Sequence, residues 1–169
     1  MSLNVYQRTI SDAFDSRNWN YILENVSQDE STFSINFTSK RYGKTCCKIS
    51  ISETGICDIK AVLPIKCQLE QHMELCYYLA QYNCFRRYST LRLDINDGEI
   101  YNFYSFVFNQ ATTPTQFLKY FNSVEDIEDS VMDDLISMCN KSTTVSTSNI
   151  SNYSQSTPGG KNGKHKISL

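Results

Sequence analysis

Between residues 33 and 63, apolar and polar side chains alternate in three short runs. Phe33, Ile35 and Phe37 alternate with Ser34 and Asn36; Cys47, Ile49 and Ile51 with Lys48 and Ser50; Cys57, Ile59, Ala61 and Leu63 with Asp58 and Lys60. A period of two sends successive side chains to opposite faces, so each run predicts a strand with one wet face. Tyr42-Gly43 and Thr54-Gly55 separate the runs and join them into a meander. Pro64 has no N–H to give a ladder and is expected to end the third strand. Ahead of the meander, Trp19 to Leu23 reads as a lead-in strand or an extended linker.

The spacing then changes to that of helices. Tyr6, Ile10, Ala13 and Phe14 form one stripe and predict a helix near Asn4–Asp15, with Asn4 as cap and Gln7 three residues on. In Cys67–Asn83, Leu69, Met73, Cys76 and Ala80 step by four, three and four and are expected to be the buried stripe. Leu75, Leu79 and Tyr82 widen it. A stripe that wide implies cover on two sides, from the sheet and from another helix or subunit. A last helical region opens with Thr113 as cap, Pro114 at the first helical position and Gln116 completing a capping box. A second start at Ser123, with Asp126 three residues later, divides this region in two; Val124, Ile127, Val131, Leu135 and Met138 form the second stripe.

Leu91, Leu93 and Ile95 alternate with Arg92 and Asp94, then Asn96-Asp97-Gly98-Glu99 leads into a return run from Ile100 to Phe108. Asp-Gly between two such runs is a hairpin signal. A two-residue turn pairs Ile95 with Ile100, Leu93 with Asn102 and Leu91 with Tyr104. It leaves Tyr101, Phe103 and Val107 on the face of Arg92 and Asp94. A three-residue turn instead sends Ile100, Tyr104 and Phe106 outward. The return run is apolar on both faces, so Tyr101, Phe103, Val107 and Arg92 form the candidate contact patch. The elements together predict an α+β domain of order α-βββ-α-ββ-α, an antiparallel sheet of about five strands with helices on one face.

From Lys141 onward the periodicity is lost. Ser, Thr, Asn, Gly and Lys dominate, and the expectation is a domain over 1–140 with a disordered tail over 141–169. Charge divides at the same place. Residues 1–140 hold 12 basic and 18 acidic side chains, a net of −6, while Lys141, Lys161, Lys164 and Lys166 give the tail +4. An acidic body argues against a nucleic-acid partner, whose phosphates call for Lys and Arg. No run of 18 apolar residues predicts a membrane span, and no basic-then-apolar leader pattern is seen, so the expected compartment is the cytoplasm. There the seven irregularly spaced cysteines are read as small apolar fillers.

Chemistry is sparsely signalled. His72 and Cys76 share a helix face, but a metal site or thiol–imidazole pair needs further ligands, and the other histidine, His165, lies in the tail. No phosphate-cradling loop, dinucleotide fingerprint or nucleophile elbow occurs, so no cofactor is expected. The residues point to a non-catalytic protein- or peptide-binding module, with a homodimer among the expected assemblies. The alternative is a metal-assisted hydrolase built on the acidic last helix with Asp126, joined by His72.

Leu79-Ala80-Gln81-Tyr82-Asn83, then Leu91-Arg92-Leu93-Asp94, then Asp97-Gly98-Glu99-Ile100, with Pro64 before the middle helix, resembles the YbjN-type bacterial domain. That resemblance spans about residues 5–140 and implies the type III secretion chaperone-like fold. It implies no catalytic residues. A regulatory role is often attached to the family, and chaperones of the related fold are dimers that hold extended client segments. Against the family pattern, Asn102 stands where an aromatic is usual, and Tyr101 and Phe103 replace residues that are often charged.

Overall fold

The computed structural model describes residues 2–25, 27–39, 41–109 and 111–140. The chain runs α1 (Leu3–Asp15), β1 (Tyr21–Asn25), β2 (Glu30–Ser39), β3 (Gly43–Ser52), β4 (Ile56–Lys66), a single 3-10 turn (Leu69–Gln71), α2 (His72–Asn83), β5 (Thr90–Leu93), β6 (Glu99–Val107), α3 (Pro114–Glu125) and α4 (Asp129–Cys139). The six strands form one antiparallel sheet in the order β1-β2-β3-β4-β6-β5. The sixth strand is the lead-in segment. The predicted tail, 141–169, lies outside the described residues.

All helices pack on the face the alternation assigned to the core. Tyr6, Ile10, Ala13 and Phe14 of α1 and Phe117, Phe121 and Val124 of α3 cover Phe33, Ile35, Cys47, Ile49 and Ile59. Alongside, Leu75 and Leu79 of α2 and Val131, Met132 and Leu135 of α4 cover Leu63, Leu91 and Ile100. Cys47, Cys57, Cys67 and Cys139 are buried among apolar side chains, whereas Cys76 and Cys84 are exposed and do not fill the core as expected; burial pushes the Cys47 thiol up to about 12 and raises that of Cys57.

Several local expectations are corrected. Ser2, not Asn4, precedes α1, and its side chain makes no capping bond; Gln7 turns to the sheet and donates to the Ser31 hydroxyl. Pro64 does not end β4. The strand continues to Lys66 through an irregularity in which Val62 pairs with Tyr101 but Lys66 with Glu99, and a residue without an N–H is tolerated where the ladder is broken. The buried side of α2 is Leu75 and Leu79, not Leu69, Met73, Cys76 and Ala80, all four of which are exposed. The last helix begins at Asp129, so Val124 belongs to the last turn of α3 and Ile127 lies in the junction. The Thr113 cap is as expected: its hydroxyl accepts from the Gln116 N–H at 3.2 Å.

The hairpin register differs by two residues. Leu93 faces Ile100 and Leu91 faces Asn102, because the connection spans Asp94 to Gly98 instead of two residues. Asp94 Oδ1 accepts from the Asn96 N–H, Asp97 Oδ1 accepts from the Glu99 N–H, and the Gly98 N–H donates to the Asp94 carbonyl. Side-chain oxygens bonding to the backbone two residues on stabilise this longer turn. Gly98 adopts φ +73° and its carbonyl accepts from the Cys67 N–H at 2.8 Å; a Cβ there would meet the Cys67 carbonyl oxygen at 2.1 Å. A shift of two leaves the paired strand side chains on their predicted faces, but Ile95, expected in the strand beside Leu93, lies in the turn and is exposed.

Two asparagines tie helices to this hairpin. The Asn83 amide, at the end of α2, donates from Nδ2 to the Leu91 carbonyl and accepts at Oδ1 from the Leu91 N–H, both at 2.9 Å. It therefore pairs the edge strand β5 as a neighbouring strand would. Buried Asn102 donates to the Val124 carbonyl at 2.9 Å, joining β6 to the end of α3. An aromatic residue at this position would lack that bond.

Candidate functional site

The candidate patch lies on the open face of the sheet. Tyr101 and Phe103 are half-buried neighbours with ring centroids 6.5 Å apart. Each ring carries a cation: the Arg92 guanidinium lies 4.0 Å from the Phe103 centroid and the Lys60 ammonium 4.2 Å from that of Tyr101. Lys60 also pairs with Glu99 at 2.7 Å, and Arg92 Nε donates to the Thr90 hydroxyl at 3.2 Å. Tyr101, Phe103 and Arg92 thus form one cluster. Val107 stands apart, beside Ile56 at the far end of β6, with the Ser105–Asp58 pair between it and Phe103. Much of the ring surface that a partner would stack on is already occupied.

The acidic helix is engaged within the domain. Asp133 receives both a bond from Arg41 at 2.7 Å and one from the Tyr42 hydroxyl at 3.2 Å. Asp129 pairs with Arg41 at 3.5 Å, Asp134 accepts from the Tyr78 hydroxyl at 3.1 Å, and Glu128 pairs with Arg86 at 3.7 Å. Glu125, Asp126 and Asp129 edge a cavity of about 270 Å³ floored by Phe37, Leu63 and Met132. Burial, with the neighbouring Asp126 charge, raises the Glu125 carboxyl above its usual range. Among the described residues no three His, Cys, Asp or Glu side chains gather at metal-binding spacing. His72 Nε2 lies 3.3 Å from the Cys67 carbonyl, while Cys76 is exposed on the helix it shares with His72.

The largest apolar exposure runs from the 3-10 turn along α2 to the residues just past it. Leu69 is 74% exposed, Met73 86%, Tyr77 69% and, just past the helix, Phe85 88%. Leu69, Met73 and Tyr77 recur at four-residue intervals, with Cys76 and Ala80 exposed beside them. This stripe runs along the helix opposite Leu75 and Leu79. A groove of about 350 Å³ borders it, between α2 and α4, lined by Tyr77, Tyr78, Met138, Glu74 and Asp134. Sequence reasoning finds Leu69, Met73, Cys76 and Ala80 but places them in the core, since two apolar stripes on one helix have the same period, and it assigns no role to Tyr77 or Phe85.

No family model matches the chain, and no curated protein matches its sequence. A solved structure does match in three dimensions. YbjN from E. coli, a candidate transcription regulator, aligns with a TM-score of 0.52 at 15% identity, over 70% of this chain and 82% of its own. The fold is YbjN-like. At that identity the likeness concerns the fold alone. The motif residues that resemble the YbjN type now have structural roles: Asn83 docks α2 on β5, and Asp94, Asp97 and Gly98 build the turn. Among the described residues no helix is long and apolar enough to cross a membrane.

Proposed function

We propose that this chain is a non-catalytic protein-binding module whose contact surface is the outer face of α2. The observation that carries the reading is the high exposure of Leu69, Met73 and Tyr77 at four-residue intervals, with Phe85 exposed just past the helix. Isolated exposed apolar side chains are ordinary, but a contiguous stripe of large ones on a folded domain marks a contact surface. Met and Tyr suit such a role, Met through its adaptable side chain and Tyr through a large rigid ring with a polar tip. The groove beside the stripe is lined by Glu74 and by Asp134, whose carboxylate accepts from the Tyr78 hydroxyl. Regulatory and chaperone-like roles both need such a face, and the YbjN-like fold is compatible with either. The Tyr101–Phe103–Arg92 cluster is a secondary contact surface in this reading, because its rings already hold cations.

The test places a photoreactive phenylalanine analogue at position 77, and separately at 101, in the full chain in native extract. The expected result is intermolecular adducts from position 77, lost when Met73→Asp is added while the circular dichroism spectrum is unchanged. Absence of adducts, or adducts indifferent to Met73→Asp, overturns the proposal.

A further inference from the structure

Resting on that reading, we infer that the occupant of the α2 face is a second copy of this chain, packed as an antiparallel helix pair about a two-fold axis near Tyr77. Three observations support this assignment. The first is area. Aromatic side chains carry about 150–250 Å² each, so Tyr77, Phe85, Leu69 and Met73 at their observed exposures offer on the order of 600 Å². Cys76 and Ala80 extend the stripe toward the roughly 800 Å² that each partner buries in a standard interface.

The second observation is symmetry. A two-fold interface must be self-complementary, each residue meeting the copy of its own counterpart. Leu69 and Phe85 lie eight residues to either side of Tyr77. An antiparallel pair centred on Tyr77 therefore brings Leu69, in the turn before α2 of one copy, toward Phe85, just past α2 of the other, with the two Tyr77 side chains near the axis.

The third is charge. Exposed Glu70 stands at the start of the helical segment and exposed Arg87 follows its end, while Arg86 is held within the chain by Glu128 and the Tyr82 ring. An antiparallel arrangement brings the acidic start of one helix toward the basic end of the other, and a parallel arrangement brings like charges together. Burying the sheet face instead would require moving Arg92 and Lys60 from the rings they cover.

Two measurements on the full chain test the assignment. Sedimentation equilibrium is expected to show a concentration-dependent dimer, and Met73→Asp to weaken its dissociation constant about a hundredfold through an unpaired carboxylate in an apolar contact, with the fold retained. Cys76 lies one residue from the proposed axis. In a Cys84→Ser background, a short bismaleimide is expected to join two chains, and Cys76→Ser to abolish the product. A chain that is monomeric at every concentration and gives no Cys76-dependent product overturns the assignment, as does a dimer that survives Met73→Asp. If the chain is monomeric but position 77 forms adducts with a different protein, the second copy is refuted and the protein-binding reading stands. If position 77 forms no adducts at all, both fall.

Discussion

Asn83→Asp exchanges an amide for a carboxylate of nearly the same shape at the joint between α2 and β5. The carboxylate keeps an acceptor for the Leu91 N–H but presents a second oxygen, 2.9 Å away, to the Leu91 carbonyl where Nδ2 had donated. The change removes one hydrogen bond worth about 0.5–1.5 kcal/mol and leaves a partly buried carbonyl without its donor, a further 1–3 kcal/mol or so. The expected loss at neutral pH is about 2–4 kcal/mol, from the roughly 5–15 kcal/mol typical of a domain. With a urea slope of about 1–3 kcal/mol per molar, the unfolding midpoint should fall by about 1–2 M. The sign of the pH dependence is distinctive. Once protonated, the introduced carboxyl can donate to the Leu91 carbonyl, so its folded pKa is raised above the unfolded value. The penalty is then small below the unfolded pKa, grows as pH rises, and is complete above the folded pKa. Asn83→Ala, with no titrating group, should show a loss nearly independent of pH across the same range. Urea melts of the three proteins from about pH 4 to about pH 8, a range that spans the carboxylate titration, are the assay. An Asn83→Asp deficit below about 0.5 kcal/mol at neutral pH, or one that does not shrink on acidification relative to wild type, would refute the reasoning.

Other outcomes follow from the same structure. Gly98→Ala should cost at least about 2–4 kcal/mol in chemical denaturation, since a positive φ disfavours a side chain and the new Cβ must push away the backbone of Cys67; a loss under about 1 kcal/mol would contradict the turn geometry. Glu125→Gln should raise thermal stability at neutral pH, because the raised carboxyl pKa makes the folded state less stable as pH climbs through and above the ordinary carboxylate range; the advantage should vanish below that range, and a variant less stable than wild type at neutral pH would refute the assignment. Phe103→Asp should cost about 1–2 kcal/mol through loss of the Arg92 contact and strand packing, leaving a folded domain with Met73-dependent association intact; wholesale unfolding would place this face in the core.

Much of this architecture is legible in the chain because alternation and capping are local signals. Phe33 to Leu63 could face only one way once one side of the sheet was apolar, and Thr113 with Pro114 fixed the start of α3 without tertiary information. The hairpin register was less accessible, since Asx bonds from Asp94 and Asp97 enlarge the turn while parity preserves the faces. The candidate surface was the least accessible. Along the 3-10 turn and α2, Leu69, Met73, Cys76 and Ala80 have the helical spacing of a core stripe, and so do Leu75, Leu79 and Tyr82. Periodicity shows that both faces are apolar, but only the position of the sheet decides which face the monomer uses. The width of the stripe is itself the signal that a second cover is needed. Tyr101 and Phe103 pose the reverse problem. Alternation puts them on the outer face, where they lie, but spacing along one strand does not disclose that Lys60, from the neighbouring strand, and Arg92 lie over the rings.

The central claim is that α2 carries one apolar face for the fold and another for a partner. Its methionine, set against the buried Met132 of α4, allows a direct measurement. Met73 is 86% exposed and Met132 is 4% exposed, and thioether oxidation reports access at each in the same molecule. Oxidative footprinting, read by peptide mass in the dilute purified chain, in the concentrated chain and in native extract, should find Met73 oxidised rapidly when dilute and several-fold more slowly in at least one of the other two conditions, with Met132 slow throughout. Met73 as protected as Met132 in the dilute folded chain, or equally reactive in all three conditions, would contradict the account.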